Sequence, residues 1–125
     1  MKKTLSTSAA PAAIGPYSQG IDCGSVVFTS GQLPIDPATG DFAGGGVAGQ
    51  TRQSLENIRA ILAQAGLGME NIVKTTVFLK DMNDFAAMNE AYAAFFPADP
   101  PARSAVEVAR LPKDALVEIE AIAVR

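Results

Sequence analysis

The sequence predicts a single α+β domain, residues 1–125, in which one mixed sheet carries two helices on one face. Three observations predict it. The 125-residue length suits one core, and a chain of this size buries roughly two-thirds of its unfolded surface. Apolar residues make up 48% of the chain but aromatic ones only 6%, so Ala, Val and Ile carry the packing, as suits layered folds. Segments of period 2 alternate with two segments of period 3.6.

Residues 17–22 and 25–30 read as short strands around Cys23-Gly24-Ser25, a tight turn. Val26-Val27-Phe28-Thr29 has the β-branched and aromatic character of a strand. Pro34-Ile35-Asp36-Pro37-Ala38-Thr39-Gly40 is turn chemistry. Gly44-Gly45-Gly46 reads as a flexible lead into a helix over residues 47–65, where Leu55, Ile58, Ile61, Leu62 and Ala65 form one apolar stripe. Gly66 and Gly68 stop it. Residues 72–80 predict a strand with Val73, Thr75, Val77 and Leu79 on one face. Asn83 is the expected N-cap of a second helix, in which Phe85, Met88, Tyr92 and Phe95 share a side. Pro97, Pro100 and Pro101 end it.

Two strands complete the chain. In residues 103–109, Arg103, Ala105 and Glu107 alternate with Ser104, Val106 and Val108. In residues 115–124, Val117, Ile119, Ala121 and Ala123 alternate with Glu118, Glu120, Ile122 and Val124. Each helix links two strands, so right-handed crossovers put both on the same sheet face. The other face is expected to carry Arg103, Ala105, Glu107, Glu118, Glu120, Ile122 and Val124, and to be solvated or covered by another subunit.

Absences narrow the function. The chain has no histidine, which removes Ser-His-Asp and Cys-His mechanisms and His-based metal sites. Its one cysteine, Cys23, cannot hold a metal cluster or form an internal disulfide. It is read as a small buried residue in a reducing, cytoplasmic compartment. No metal or cofactor site is expected. The net charge of −3, with Lys and Arg scattered, argues against nucleic-acid binding, which depends on phosphate neutralisation. No apolar run approaches the ~20 residues that span a bilayer, so no membrane partner is expected. The start, Met1-Lys2-Lys3-Thr4-Leu5-Ser6, turns polar too quickly for a signal peptide. Proton transfer must fall to carboxylates, Tyr, Lys, Cys or water.

Motif strings then carry a resemblance. Gly15-Pro16-Tyr17-Ser18-Gln19, Ser30-Gly31-Gln32-Leu33-Pro34, Asn57-Ile58 and Asn89-Glu90-Ala91-Tyr92 come first in order. Pro101-Ala102-Arg103-Ser104, Arg110-Leu111-Pro112-Lys113-Asp114 and Glu118-Ile119-Glu120-Ala121 follow. Together they run nearly end to end, and the chain resembles the RidA (YjgF-type) family. The resemblance implies a chorismate-mutase-like α+β fold and a homotrimer with ligand clefts between adjacent subunits. It also implies a last strand inserted between the two crossover units. The implied activity is cofactor-independent hydrolysis of 2-aminoacrylate and related enamines and imines, such as 2-iminobutanoate, to 2-keto acids and ammonia.

The resemblance assigns the substrate carboxylate to Arg103, whose planar guanidinium offers a bidentate match that lysine lacks. Read from sequence alone, a surface or strand-end ion pair, as with Glu107, is the commoner fate of such an arginine, and the Pro101-Ala102-Arg103-Ser104 match reverses that preference. Glu118 is the implied proton handler. Glu120 has the same periodicity and competes for the role, and a solvated strand glutamate is the ordinary alternative for either. Tyr17, Ser30 and Asn89 are candidate polar groups of the pocket, and Gly31 lets a ligand approach backbone N–H. Tyr17 as a loop anchor and Ser30 as a turn residue are the plainer readings, while Asn89 is a poor helix former without some use. Many family members carry a cysteine two residues after the arginine. Here the residue is Ala105, which argues against covalent cysteine catalysis. A non-catalytic trimer binding small carboxylates is the competing function.

Overall fold

The computed structural model describes residues 1–125. Its strands are β1 (Lys3–Leu5), β2 (Gly20–Asp22), β3 (Val26–Thr29), β4 (Ile72–Leu79), β5 (Ala102–Glu107) and β6 (Val117–Val124). The helices are α1 (Gly46–Ala63), between β3 and β4, and α2 (Phe85–Ala93), between β4 and β5. One sheet orders the strands β1-β2-β3-β6-β4-β5. β6 lies antiparallel between β3 and β4, while β4 and β5 run parallel. The predicted two crossovers and the inserted last strand are therefore present. β1, which pairs with β2, has too few residues to show a period and went unpredicted.

The α1 stripe packs as its spacing predicts: Leu55, Ile58, Ile61 and Leu62 are fully buried, and each such side chain contributes about 1.5–3 kcal/mol. They meet Val27 of β3 and Val117, Ile119, Ala121 and Ala123 of β6 in one core. The alternation along β6 follows the predicted phase. Gly66 closes α1 with a left-handed φ of 74°, and Leu67 N–H reaches back to the Leu62 carbonyl at 3.0 Å, the 6→1 bond of a Schellman stop. No helix is long and apolar enough to cross a membrane.

Four expectations need correction. First, Val73 is not on the buried face but 43% exposed. A register shift between Ile72 and Lys74 against β6 inserts an extra residue, and a bulge reverses the alternation, so Ile72 is buried instead. Second, Asn83 does not cap α2. The Asp81 carboxylate accepts the Asn83 N–H at 2.8 Å and opens a 3-10 turn, Met82–Asp84, that runs into the helix. Third, Cys23 is exposed, because it sits in the β2–β3 turn with its N–H bonded to Val26.

The fourth correction matters for function. Arg103, Ala105 and Glu107 do not share a face with Glu118 and Glu120. They pair in register with Thr75, Val77 and Leu79, which are buried beneath the helices. They therefore point to the helix side of the sheet at its β5 edge. The open side carries Glu118, Glu120, Ile122, Phe78, Ser104 and Val106. Both charged residues of β5, Arg103 and Glu107, lie in the phase that faces the helix side, and its one large apolar residue, Val106, lies in the open phase, so the alternation of this edge strand runs opposite to what burial of apolar residues predicts.

Candidate active site

The site residues fall into two groups. One is built around Glu118, near the start of β6. The segment after β3 runs alongside it. Gln32 and Ile119 exchange backbone hydrogen bonds, Gln32 N–H to Ile119 O at 2.7 Å and Ile119 N–H to Gln32 O at 3.2 Å. This places Gly31 directly against Glu118. A Cβ added to Gly31 would overlap the carboxylate and lie 3.0 Å from its Cδ, so glycine is needed there for space. Glu118 is half-buried. That burial, and secondarily the charge of Glu120, pushes its pKa above the ordinary carboxylate value. Glu120 is exposed and has no such wall. The geometry thus separates two glutamates that periodicity leaves equivalent.

Gly31 also lines a cleft of about 430 Å³, together with Tyr17, Ile14, Leu33 and Lys113 among others. Ser30 holds it together. Its hydroxyl donates to the Ser18 carbonyl at 2.6 Å and its N–H bonds to Gln19, which fixes Tyr17 relative to Gly31. Gln19 continues the scaffold. Its buried amide accepts the Thr7 N–H at 2.7 Å and donates to the carbonyls of Thr7 and Pro11 at 3.0 and 2.7 Å. Thr7 and Pro11 also line the cleft.

The second group surrounds Arg103. Its Nη1 donates to Asn89 Oδ1 at 2.6 Å. The guanidinium carbon lies 4.8 Å from the centroid of the Tyr92 ring and 5.4 Å from that of Phe85, cation–π distances that hold the plane of the group. The predicted alternative partner, Glu107, instead accepts the Met82 N–H at 2.8 Å. Asn89 thus orients the arginine, and the remaining N–H groups of the fork are free to take a carboxylate. Tyr92 is itself anchored, its hydroxyl 2.6 Å from Thr75 Oγ1. Burial raises its pKa against the opposing pulls of Thr75 and Arg103, so the phenol stays neutral. A depression of about 530 Å³ beside Arg103 is lined by Asn89, Tyr92, Phe96, Pro100 and Pro101. Ala105 follows on the same strand face, opposite Val77.

Tyr17, Ser30, Gly31 and Glu118 are brought together, as are Asn89, Arg103 and Ala105, but the two groups are not joined within one chain. β4 separates β5 from β6, a lateral offset of about 10 Å, and the side chains leave opposite sheet faces. Sequence reasoning missed Gln19, Phe85 and Tyr92 as supports. The last two had a signal: Phe85, Asn89 and Tyr92 follow i, i+4, i+7 spacing and so share a face of α2.

Gly31→Ala is expected to lower kcat/KM roughly 100-fold with little change in Tm. The added methyl displaces the flexible end of Glu118 rather than backbone, and misplacing a reacting group by about 1 Å costs that much. Steady-state kinetics paired with thermal melting checks this; a variant with normal turnover removes Gly31 from the site.

The endoribonuclease L-PSP family model matches residues 7–125. A relative in Salmonella typhimurium named 2-iminobutanoate/2-iminopropanoate deaminase is 63% identical, covering 100% of this chain and 99% of its own. The 1.2 Å crystal structure of the YjgF gene product of E. coli superposes with a TM-score of 0.95 at 60% identity, covering 98% of each chain. E. coli TdcF with bound serine superposes with a TM-score of 0.95 at 56% identity, again over 98% of each chain. The chain belongs to the endoribonuclease L-PSP family, that of the YjgF and RidA proteins.

Proposed function

We propose that this chain is a cytoplasmic deaminase that hydrolyses 2-imino acids and their enamine tautomers, such as 2-iminobutanoate and 2-aminoacrylate, to 2-keto acids and ammonia. The observation that carries the reading is the placement of Glu118, half-buried with a raised pKa against Gly31, which itself lines the cleft. A module that only captured anions would gain nothing from a carboxylate there. The name of the Salmonella typhimurium relative supports the same reaction.

Arg103 takes the substrate carboxylate through the N–H groups that Asn89 leaves free. Glu118 takes a proton from water as the oxygen adds to the imine carbon and the nitrogen takes a proton from solvent. The carbinolamine then collapses: Glu118 returns its proton to nitrogen, the C–N bond breaks to release ammonia, and the hydroxyl proton passes back to solvent as the keto group forms. The sum is imine plus water to ketone plus ammonia. No electrons are transferred, so no redox cofactor is required.

The reading includes a homotrimer whose adjacent chains complete each site, because Arg103 and Glu118 leave opposite faces of one sheet. The open face supports this: Phe28 and Val106 are each 42% exposed there, and exposed apolar patches mark contacts. A ribonuclease, the name attached to the family model, draws no support from a chain with net charge −3 and no histidine.

A dehydratase that releases 2-aminoacrylate in situ tests the activity. Keto-acid release is expected to accelerate in proportion to added protein. An unchanged release rate, with keto acid still bound by the protein, would identify a carboxylate-binding module instead.

A further inference from the structure

The buried face of α1 contains a feature that packing does not require. Among Leu55, Ile58, Ile61 and Leu62, the same helix buries Asn57 completely and Gln50 to 9% exposure. Gln50 and Asn57 are seven residues apart, so they lie on one side of the helix, two turns from each other. Asn57 Nδ2 donates to two carbonyls of the segment after Gly31, Leu33 O at 3.1 Å and Ile35 O at 3.0 Å. Its Oδ1 accepts from Gln53 at 2.9 Å. Gln50 Oε1 accepts the N–H of Leu116 at 2.9 Å.

These bonds are placed symmetrically about the site. Leu33 stands two residues after Gly31, and Leu116 two residues before Glu118. The Gln32–Ile119 bridge joins the same two segments next to these attachments. Gln32, also buried, adds a bond from its amide to Ser30 O at 3.2 Å. Neither Gln50 nor Asn57 lines the cleft.

We propose that Gln50 and Asn57 are positioning residues: α1 grips both backbone segments and so sets the closeness of Gly31 to the Glu118 carboxylate. The inference rests on the assignment of Glu118 as proton handler. An aliphatic side chain at either position fills the core as well, but it leaves carbonyls or an N–H unpaired and lets the segments part. A buried amide hydrogen-bonded to a neighbouring backbone segment fixes its position in a way that an apolar contact does not. Water then reaches the carboxylate, which relieves the burial that disfavours its charged form.

The test uses near-isosteric, uncharged variants, Asn57→Leu and Gln50→Met, with 2-iminobutanoate generated in situ. Each is expected to lower kcat roughly 10- to 100-fold with KM little changed. The acid limb of the kcat/KM profile should move to lower pH, since a resolvated Glu118 loses its proton more readily. The groups that bear on that limb are Glu120 on β6 and, lining the cleft beyond Gly31, Tyr17 and Lys113. β4 presents only Phe78 and Thr76 opposite the two glutamates, and neither titrates. Gln50→Glu, which keeps the acceptor for Leu116 N–H, should restore most of kcat. A fall in Tm with kcat and the acid limb unmoved overturns the inference and makes both residues purely structural. If Asn57→Leu does not fold, the Gln50 pair decides. Full activity in Glu118→Gln overturns the assignment beneath it. An inactive Glu118→Gln beside a normal Gln50→Met overturns the positioning role alone.

Discussion

Glu118→Gln is expected to lower kcat by about 10²–10⁴-fold, the span that a positioned acid–base group contributes, while a 2-keto acid still binds. The amide matches the carboxylate in shape and keeps its place against Gly31, but it accepts no proton from water and returns none to nitrogen. Glu120→Gln is the control. It is exposed, and its charge acts on Glu118 only as the second cause of the raised pKa, so its loss should shift the acid limb modestly toward lower pH. If Glu120→Gln abolishes turnover while Glu118→Gln does not, the roles are reversed.

The raised pKa also fixes the sign of a stability effect. A carboxyl whose folded pKa lies above its unfolded value favours folding most when protonated, below the unfolded value. That contribution is lost as pH rises through the folded pKa. At neutral pH the wild-type chain therefore holds a charge that folding disfavours. Glu118→Gln should melt at an equal or higher temperature than wild type at pH 7, with the gap narrowing on acidification. Lost activity in a protein of undiminished stability separates a chemical role from a structural one.

How much of this was legible depended on how strongly each element is patterned. α1 and β6 were readable because their apolar residues recur with one period and face one core. β4 was readable as a strand but not in phase throughout. The bulge before Lys74 depends on its pairing with β6, a long-range fact with no local signature. β5 failed for a different reason. As an edge strand with no residue fully buried, it turns its charged phase, Arg103 and Glu107, to the helix side opposite Thr75 and leaves Val106 on the open side, because Asn89, Tyr92 and Phe85 of α2 receive the guanidinium there, so its alternation pointed the wrong way. The motif strings located Gly31 and Glu118, but not that one occupies the space left by the other. That follows from the Gln32–Ile119 bridge, which joins residues far apart in the chain. Asn57 stood in a motif string with no role attached and Gln50 carried no sequence signal, because their partners, the carbonyls of Leu33 and Ile35 and the N–H of Leu116, are distant in the chain.

Arg103→Ala and Glu118→Ala proteins, each expected to be inactive alone, should recover activity when unfolded together and refolded as mixed trimers. In one chain, Arg103 leaves the helix side of the β5 edge, while Glu118 leaves the open side of β6 two strands inward. A 2-imino acid is only a few ångströms from its carboxylate to its imine carbon, so it does not bridge these positions around the sheet. The proposed cyclic assembly offers the alternative: a β5 edge set against the next chain's open face would repeat until the ring closes. Every site then takes its arginine from one chain and its glutamate from the neighbour. In a random one-to-one mixture, half of the chains supply an intact Arg103 and half an intact Glu118, so about a quarter of the contacts hold both and roughly a quarter of wild-type activity should return. Doubling the proportion of either mutant lowers the product of the two fractions and should lower the recovery. A site contained in a single chain predicts a flat zero at every ratio, and zero recovery in trimers shown by native mass to be mixed would establish it.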